Sequence, residues 1–193
     1  MERENAPLCL RVKLTTFLRG TKTVLRPVEK SDLPFLHTLR NDVRTQMMLM
    51  AQPRPNPVSR VQGWLDKFAA SPDAILLIVA AARGGRPLGF VQLAGLDLLH
   101  GTADLGICLV ATARGKGHAA EALQLVESYA VEVFHLRKIL LRVLAENTRA
   151  ITLYRQVGYR EVGVLQAHFY QQRAYKDVIL MEKFVRDSPP PRA

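Results

Sequence analysis

Arg114-Gly115-Lys116-Gly117-His118-Ala119 stands between an apolar run, Ala103 to Val110, and a long amphipathic stretch from Gly117 to about Phe134. The run reads as a strand and the stretch as a helix, so the hexapeptide is the turn that joins them. At a helix start the first backbone N–H groups point outward without partners, and glycines let the chain curl until several of them converge. Such a turn cradles an anion, above all a phosphate. Arg114 and Lys116 add positive charge, while Ala119 keeps the first helical turn small enough for a bulky ligand to lie against the backbone. A nucleoside-triphosphate loop would need Gly-Lys followed by Ser or Thr, and a dinucleotide site would need three glycines in a first βαβ unit. Neither pattern is present.

Upstream, Thr23 to Leu25 predicts a first strand stopped by Arg26-Pro27. Ser31-Asp32 is placed to cap a helix running to about Arg40, with Leu33, Phe35, Leu36 and Leu39 at helical spacing. Asn41 to Val58, with three Met and three Pro, predicts an irregular connection, and Ser59 predicts the cap of a second helix to about Ala70. Strands at Ile75–Ala81, Leu88–Leu93 and Ala103–Val110 follow as an antiparallel meander, turned first by Arg83-Gly84-Gly85-Arg86. Downstream lie a strand at Ile139–Ala145, a helix at Thr148–Val157, and closing strands near Tyr159–Leu165 and Tyr175–Phe184. The pattern is a mixed, mostly antiparallel sheet of about seven strands with about four helices, an α/β (α+β) class.

With 193 residues, the chain fits one domain with a real core. Its division is expected at 1–20 as an N-terminal extension, 21–186 as the domain and 187–193 as a disordered, proline-rich tail. The first twenty residues make a poor signal peptide and no apolar run is long enough for a membrane helix, so a cytoplasmic protein without a membrane partner is expected. Cys9 and Cys108 are far apart, which argues for free thiols rather than a disulfide or a thiolate metal site. A net charge of +10 calls for an anionic partner. The cations are scattered and aromatics make up only 7%, which favours a phosphorylated small molecule over nucleic acid.

The loop pattern of Arg, two residues, Gly, one residue and Ala, met by Arg114, Gly117 and Ala119, resembles the phosphate loop of the GNAT superfamily of N-acetyltransferases. Ala103-Asp104-Leu105-Gly106-Ile107-Cys108-Leu109-Val110 is similar to the family's fourth strand. Asn147-Thr148-Arg149-Ala150-Ile151-Thr152-Leu153-Tyr154 is similar to its fifth-strand exit and the helix beyond, with Gly158-Tyr159 following. The resemblance spans about Thr23 to Phe184, and the closing part, Gln166 to Glu182, looks like the subgroup of ribosomal-protein N-terminal and spermidine acetyltransferases.

The resemblance implies a splayed parallel pair, Ala103–Val110 and Ile139–Ala145, with the pantetheine arm of acetyl-CoA laid between them like an added strand. The cofactor contacts implied are backbone groups at Cys108, Leu109 and Val110, the loop Arg114, Gly115, Lys116, Gly117, His118 and Ala119, and Asn147, with no metal. It also implies that Tyr154 protonates the departing thiolate while an amine attacks the thioester directly. Asp104, whose strand leads toward the acetyl group, is the candidate proton acceptor, directly or through water. Cys108 reads as a small buried hydrophobe rather than a nucleophile. The acceptor is expected to be a primary amine of a peptide N-terminus, an amino sugar or another small molecule. A polyamine is disfavoured, because Asn41 to Val58 offers one acid, Asp42, against Arg44 and Arg54. Met47, Met48 and Met50 suit an adaptable apolar wall. The rival reading is a basic, non-catalytic module that binds CoA, RNA or ribosome on the same fold, and a homodimer is compatible with either.

Overall fold

A computed structural model describes residues 18–186. The expected extension up to residue 17, including Cys9, and the expected tail at 187–193 lie outside the described residues. Seven strands form one sheet: β1 (Thr23–Pro27), β2 (Ile75–Ala81), β3 (Pro87–Asp97), β4 (Thr102–Leu109), β5 (Lys138–Leu144), β6 (Arg160–Gln171) and β7 (Ala174–Phe184). Their order across the sheet is β1-β2-β3-β4-β5-β7-β6, antiparallel throughout except for the β4–β5 pair. Five α-helices accompany them: α1 (Leu33–Asn41), α2 (Val43–Met48), α3 (Val58–Ala70), α4 (His118–Phe134) and α5 (Thr148–Gln156). None of these helices is long and apolar enough to cross a membrane.

Two apolar layers flank the sheet, and strand alternation decides which residues enter each. Ala103, Leu105 and Leu109 of β4 point into the larger layer, with Leu141 and Val143 of β5, Tyr154 of α5 and the inner face of α4. On α4 that face is Ala122, Leu123, Val126 and Ala130, all essentially buried, at helical spacing. Each such Leu or Val stabilises the fold by roughly 1.5–3 kcal/mol. Cys108 points the other way, into a smaller layer with Leu36 and Leu39 of α1, Val61 of α3, Ile78 and Phe90.

Asn41 to Val58 is more ordered than its composition suggests. Asp42 accepts a hydrogen bond from the Thr45 N–H at 2.6 Å and so caps α2, a helix the expected irregular connection did not contain. The proline-rich remainder is held by reciprocal amide pairing: the Asn56 N–H donates to Asn41 Oδ1 at 2.8 Å and Asn41 Nδ2 donates to the Asn56 carbonyl at 3.0 Å. Two caps also differ from expectation. Asp32 accepts from the Glu29 N–H, bracing a short 3-10 turn ahead of α1, and α3 begins at Val58 after Pro57 rather than at a Ser59 cap.

Candidate active site

β4 and β5 pair over only three register steps, Thr102 with Lys138, Ala103 with Ile139 and Asp104 with Leu140. Beyond that point they part, leaving a wedge between Leu105–Leu109 and Leu141–Leu144. The closed end is clamped from outside the strands. The Gly101 carbonyl accepts from the N–H groups of Arg137 at 2.8 Å and Lys138 at 3.0 Å, and Arg137 Nε donates to the His100 carbonyl at 2.8 Å. The far sides stay closed because β4 pairs with β3 and β5 with β7 along their lengths.

Backbone directions along β4 follow from one bond. The Val110 N–H donates to the Leu88 carbonyl at 2.9 Å, so alternation turns the amides of Cys108 and Val110 toward β3 and those of Ile107 and Leu109 toward the wedge. The Leu109 carbonyl already accepts from Arg114 Nε at 2.9 Å. The groups left for an inserted chain are therefore both amide groups of Ile107 and the Leu109 N–H. Sequence reasoning named Cys108 to Val110 and missed Ile107, because spacing alone does not say which amides face the gap.

The loop at the mouth of the wedge has the shape an anion requires. Gly115 and Gly117 have φ of 77° and 87°, the left-handed region where a side chain is strained. Gly117 precedes α4 without any side-chain cap, so the first-turn N–H groups of α4 are not claimed by one. Two cations from outside the loop converge on it: a Cβ at Gly117 would lie 3.2 Å from Lys22 Nζ, and one at Gly115 would lie 3.2 Å from Arg149 Nη2. Lys22 is brought there by Glu121 of α4, whose carboxylate accepts from the N–H groups of Thr21 at 2.7 Å and Lys22 at 2.9 Å. His118 Nδ1 lies 3.1 Å from Thr23 Oγ1 and ties α4 to β1. Lys116 is exposed, and Ala119 is partly buried on the first turn. Arg114 turns back from the loop, with Nη2 3.4 Å from Thr45 Oγ1.

Tyr154 is buried in the larger layer, which also holds Leu109, Leu141 and Val143, and its ring packs edge-on against Tyr159 at 5.8 Å. Burial, with the Cys108 sulfur nearby, pushes its phenol up to about 12, so it carries its proton at neutral pH. Burial likewise pushes the Cys108 thiol up to about 12, which keeps it a thiol. Asn147 caps α5, its Oδ1 accepting from the Ala150 N–H at 3.3 Å. Asp104 is exposed at the closed end of the wedge, on the opposite sheet face from Tyr154 and about 13 Å along β4 from Cys108. The structure thus gathers the loop residues at one end, sets Tyr154 and Cys108 in the two apolar layers on opposite faces of the sheet, and leaves Asp104 apart from the loop and from Tyr154.

An acetyltransferase (GNAT) domain model matches residues 22–160. The spermidine N(1)-acetyltransferase of Vibrio cholerae is 27% identical over 173 residues, 88% of this chain and 99% of that protein. The Escherichia coli enzyme of the same name is 29% identical over 157 residues, 81% of this chain and 83% of that protein. A crystal structure of the Vibrio cholerae spermidine N-acetyltransferase in complex with CoA and spermine superposes with a TM-score of 0.80 at 26% identity, covering 86% of this chain and 96% of that one. A dodecameric form of the same enzyme gives 0.73. The matched span contains the split pair, the glycine loop ahead of α4, and α5, and the chain belongs to the GNAT acetyltransferase family as an acetyl-CoA-dependent N-acetyltransferase.

Proposed function

We propose that the chain transfers the acetyl group to a small primary amine by direct attack, with the thioester held in the wedge between β4 and β5. The observation that carries this reading is the parting of the two strands after Asp104 and Leu140, with the left-handed glycine loop of Gly115 and Gly117 at the open end. The diphosphate of CoA lies on the loop, balanced by Lys22 and Arg149 as well as by the α4 N-terminus. The pantetheine amides bond to Ile107 and Leu109 as an added strand would. Asn147 completes the cradle through its free amide nitrogen.

The neutral amine approaches from the α1–α3 face, which carries the smaller of the two apolar layers, opposite the layer that holds α4 and Tyr154. Its nitrogen bonds to the carbonyl carbon as the carbon–sulfur bond breaks. Tyr154, protonated in its buried setting, gives its proton to the leaving sulfur and recovers one from solvent. The substrate ammonium gives up one proton before attack and its nitrogen a second once it has bonded to carbon; both reach water, the first by way of Asp104 at the solvent edge of β4. The balance is one amide and one free thiol formed, with one proton released. A peptide N-terminus or an amino sugar suits the acceptor side better than a polyamine, since Asp32 and Asp42, two of its carboxylates, are already engaged with Arg26 and the Thr45 N–H, while Arg40 adds a cation there that is unpaired among the described residues. Following CoA release across a panel of amines tests the reading: selective release with one amine class supports it, and none with any amine refutes it.

A further inference from the structure

Arg40 lies in the last turn of α1, with its guanidinium 4.1 Å from the centre of the Trp64 ring. Its backbone is fixed too, because Asn56 Nδ2 donates to the Arg40 carbonyl at 2.8 Å within the Asn41–Asn56 pairing. Trp64 in turn packs edge-on against Phe90 at 5.4 Å, and Phe90 is the register partner of Cys108. The guanidinium therefore lies against the smaller apolar layer, on the face of β4 from which the acceptor approaches. It is half-buried, and burial lowers its pKa without any carboxylate opposing that shift.

Among the described residues Arg40 forms no ion pair. Asp32 is held by Arg26 at 2.7 Å, and Asp42 caps α2. The charged neighbours that act on Cys108 are Arg114, Asp42 and Arg40, two cations against one engaged acid. A cation withdrawn from water without a counter-ion is costly unless a ligand supplies the charge. A guanidinium over an indole face keeps N–H donors on its rim for another partner, and their fork matches the oxygens of a carboxylate or phosphate.

We propose that the acceptor amine carries an oxyanion, and that Arg40 is the residue that binds it. This deepens the direct-transfer reading and rests on the acceptor entering from the α1–α3 face. It also separates this chain from the polyamine acceptors for which its relatives are named, since a second ammonium would meet Arg40 head-on.

The test uses the full chain and matched acceptor pairs: an amino acid against its amide, glucosamine 6-phosphate against glucosamine, and spermidine. Calorimetry in the presence of CoA gives affinities, and CoA release gives kcat/KM. The anionic member of at least one pair should be preferred by about tenfold, and Arg40→Gln should remove that preference, with Arg40→Lys keeping part of it. Which pair responds distinguishes a carboxylate from a phosphate source. No preference in the wild type, the same preference in Arg40→Gln, or spermidine as the best acceptor overturns the proposal. So does an equal loss for both members of every pair with a lowered Tm, which would make Arg40 a brace for Trp64. Selective, Arg40-dependent binding without acetylation of any bound amine would instead uphold the oxyanion subsite and defeat the direct-transfer reading.

Discussion

Asp104 and Leu140 are the last residues that β4 and β5 share across their parallel edge, and every unclaimed amide of the candidate cofactor cleft lies beyond them. The clamp behind this step, with Gly101 accepting from both Arg137 and Lys138, keeps the strands together at one end only. The opening is thus built into the resting fold, and a ligand that pairs there need not first separate two strands.

At the loop, Gly117→Asp places a carboxylate beside Lys22 Nζ, where it neutralises that cation and repels a diphosphate. Acetyl-CoA should raise the Tm of the wild type clearly, as ligand linkage requires, and raise that of the variant little or not at all. A full shift in a folded variant would remove the loop from the binding site.

Tyr154→Phe deletes one hydroxyl and leaves the ring against Tyr159. Turnover should fall by roughly 10²-fold while the affinity for acetyl-CoA stays within a few-fold. Because burial holds the phenol up near 12, the group stays protonated from neutral pH to well above 10. The wild-type rate should accordingly show no alkaline limb from Tyr154 below about pH 11. The same raised value works on stability with a definite sign. It contributes fully below the unfolded phenol value of about 10 and is lost as pH rises through 12. Equal turnover in the variant would leave Tyr154 without a part in the chemistry.

Much of the frame was legible in the sequence, because alternation fixes strands and the 3.6 period fixes helices. β2 runs over Ile75–Ala81 as expected, and α4 differs by one residue at its start. What escaped was tertiary or too short to show a period. The six residues of α2 form fewer than two turns and depend on the Asp42 cap, and β3 and β6 outrun their apolar cores because pairing with β4 and β7 carries them on. In the site, glycine spacing marked the loop, yet nothing local tells that Glu121 draws Lys22 to it or that Arg149 reaches back from α5. Arg40 was invisible for the same reason, as its isolation depends on which acids have other partners.

Cys108→Ala should keep the acetylation rate within a few-fold at a modest cost in stability, since a thiol held up to about 12 and packed beside Phe90 supplies volume rather than a nucleophile. Pre-steady-state mixing with acetyl-CoA alone should give no burst of CoA. A stoichiometric burst that the variant abolishes would mean a covalent acetyl-enzyme and overturn direct attack.

Asp104→Asn separates three roles by pH. As a proton acceptor, Asp104 matters most at neutral pH, and the variant should regain rate at higher pH, where free amine is abundant. A role in orienting the substrate would instead raise KM for the amine at all pH values, and a merely exposed strand residue would change neither. A wild-type profile in the variant, measured at saturating acetyl-CoA, would take the proton-acceptor role away from Asp104.

The wedge itself is tested most directly by amide hydrogen exchange along β4, residue by residue, with and without CoA. The Ile107 and Leu109 amides, which face the gap, should gain at least about tenfold protection on binding, whereas Cys108 and Val110, directed toward β3, should change far less. Uniform protection of all four, or none at Ile107 and Leu109 while CoA is bound, would contradict a cofactor laid between β4 and β5.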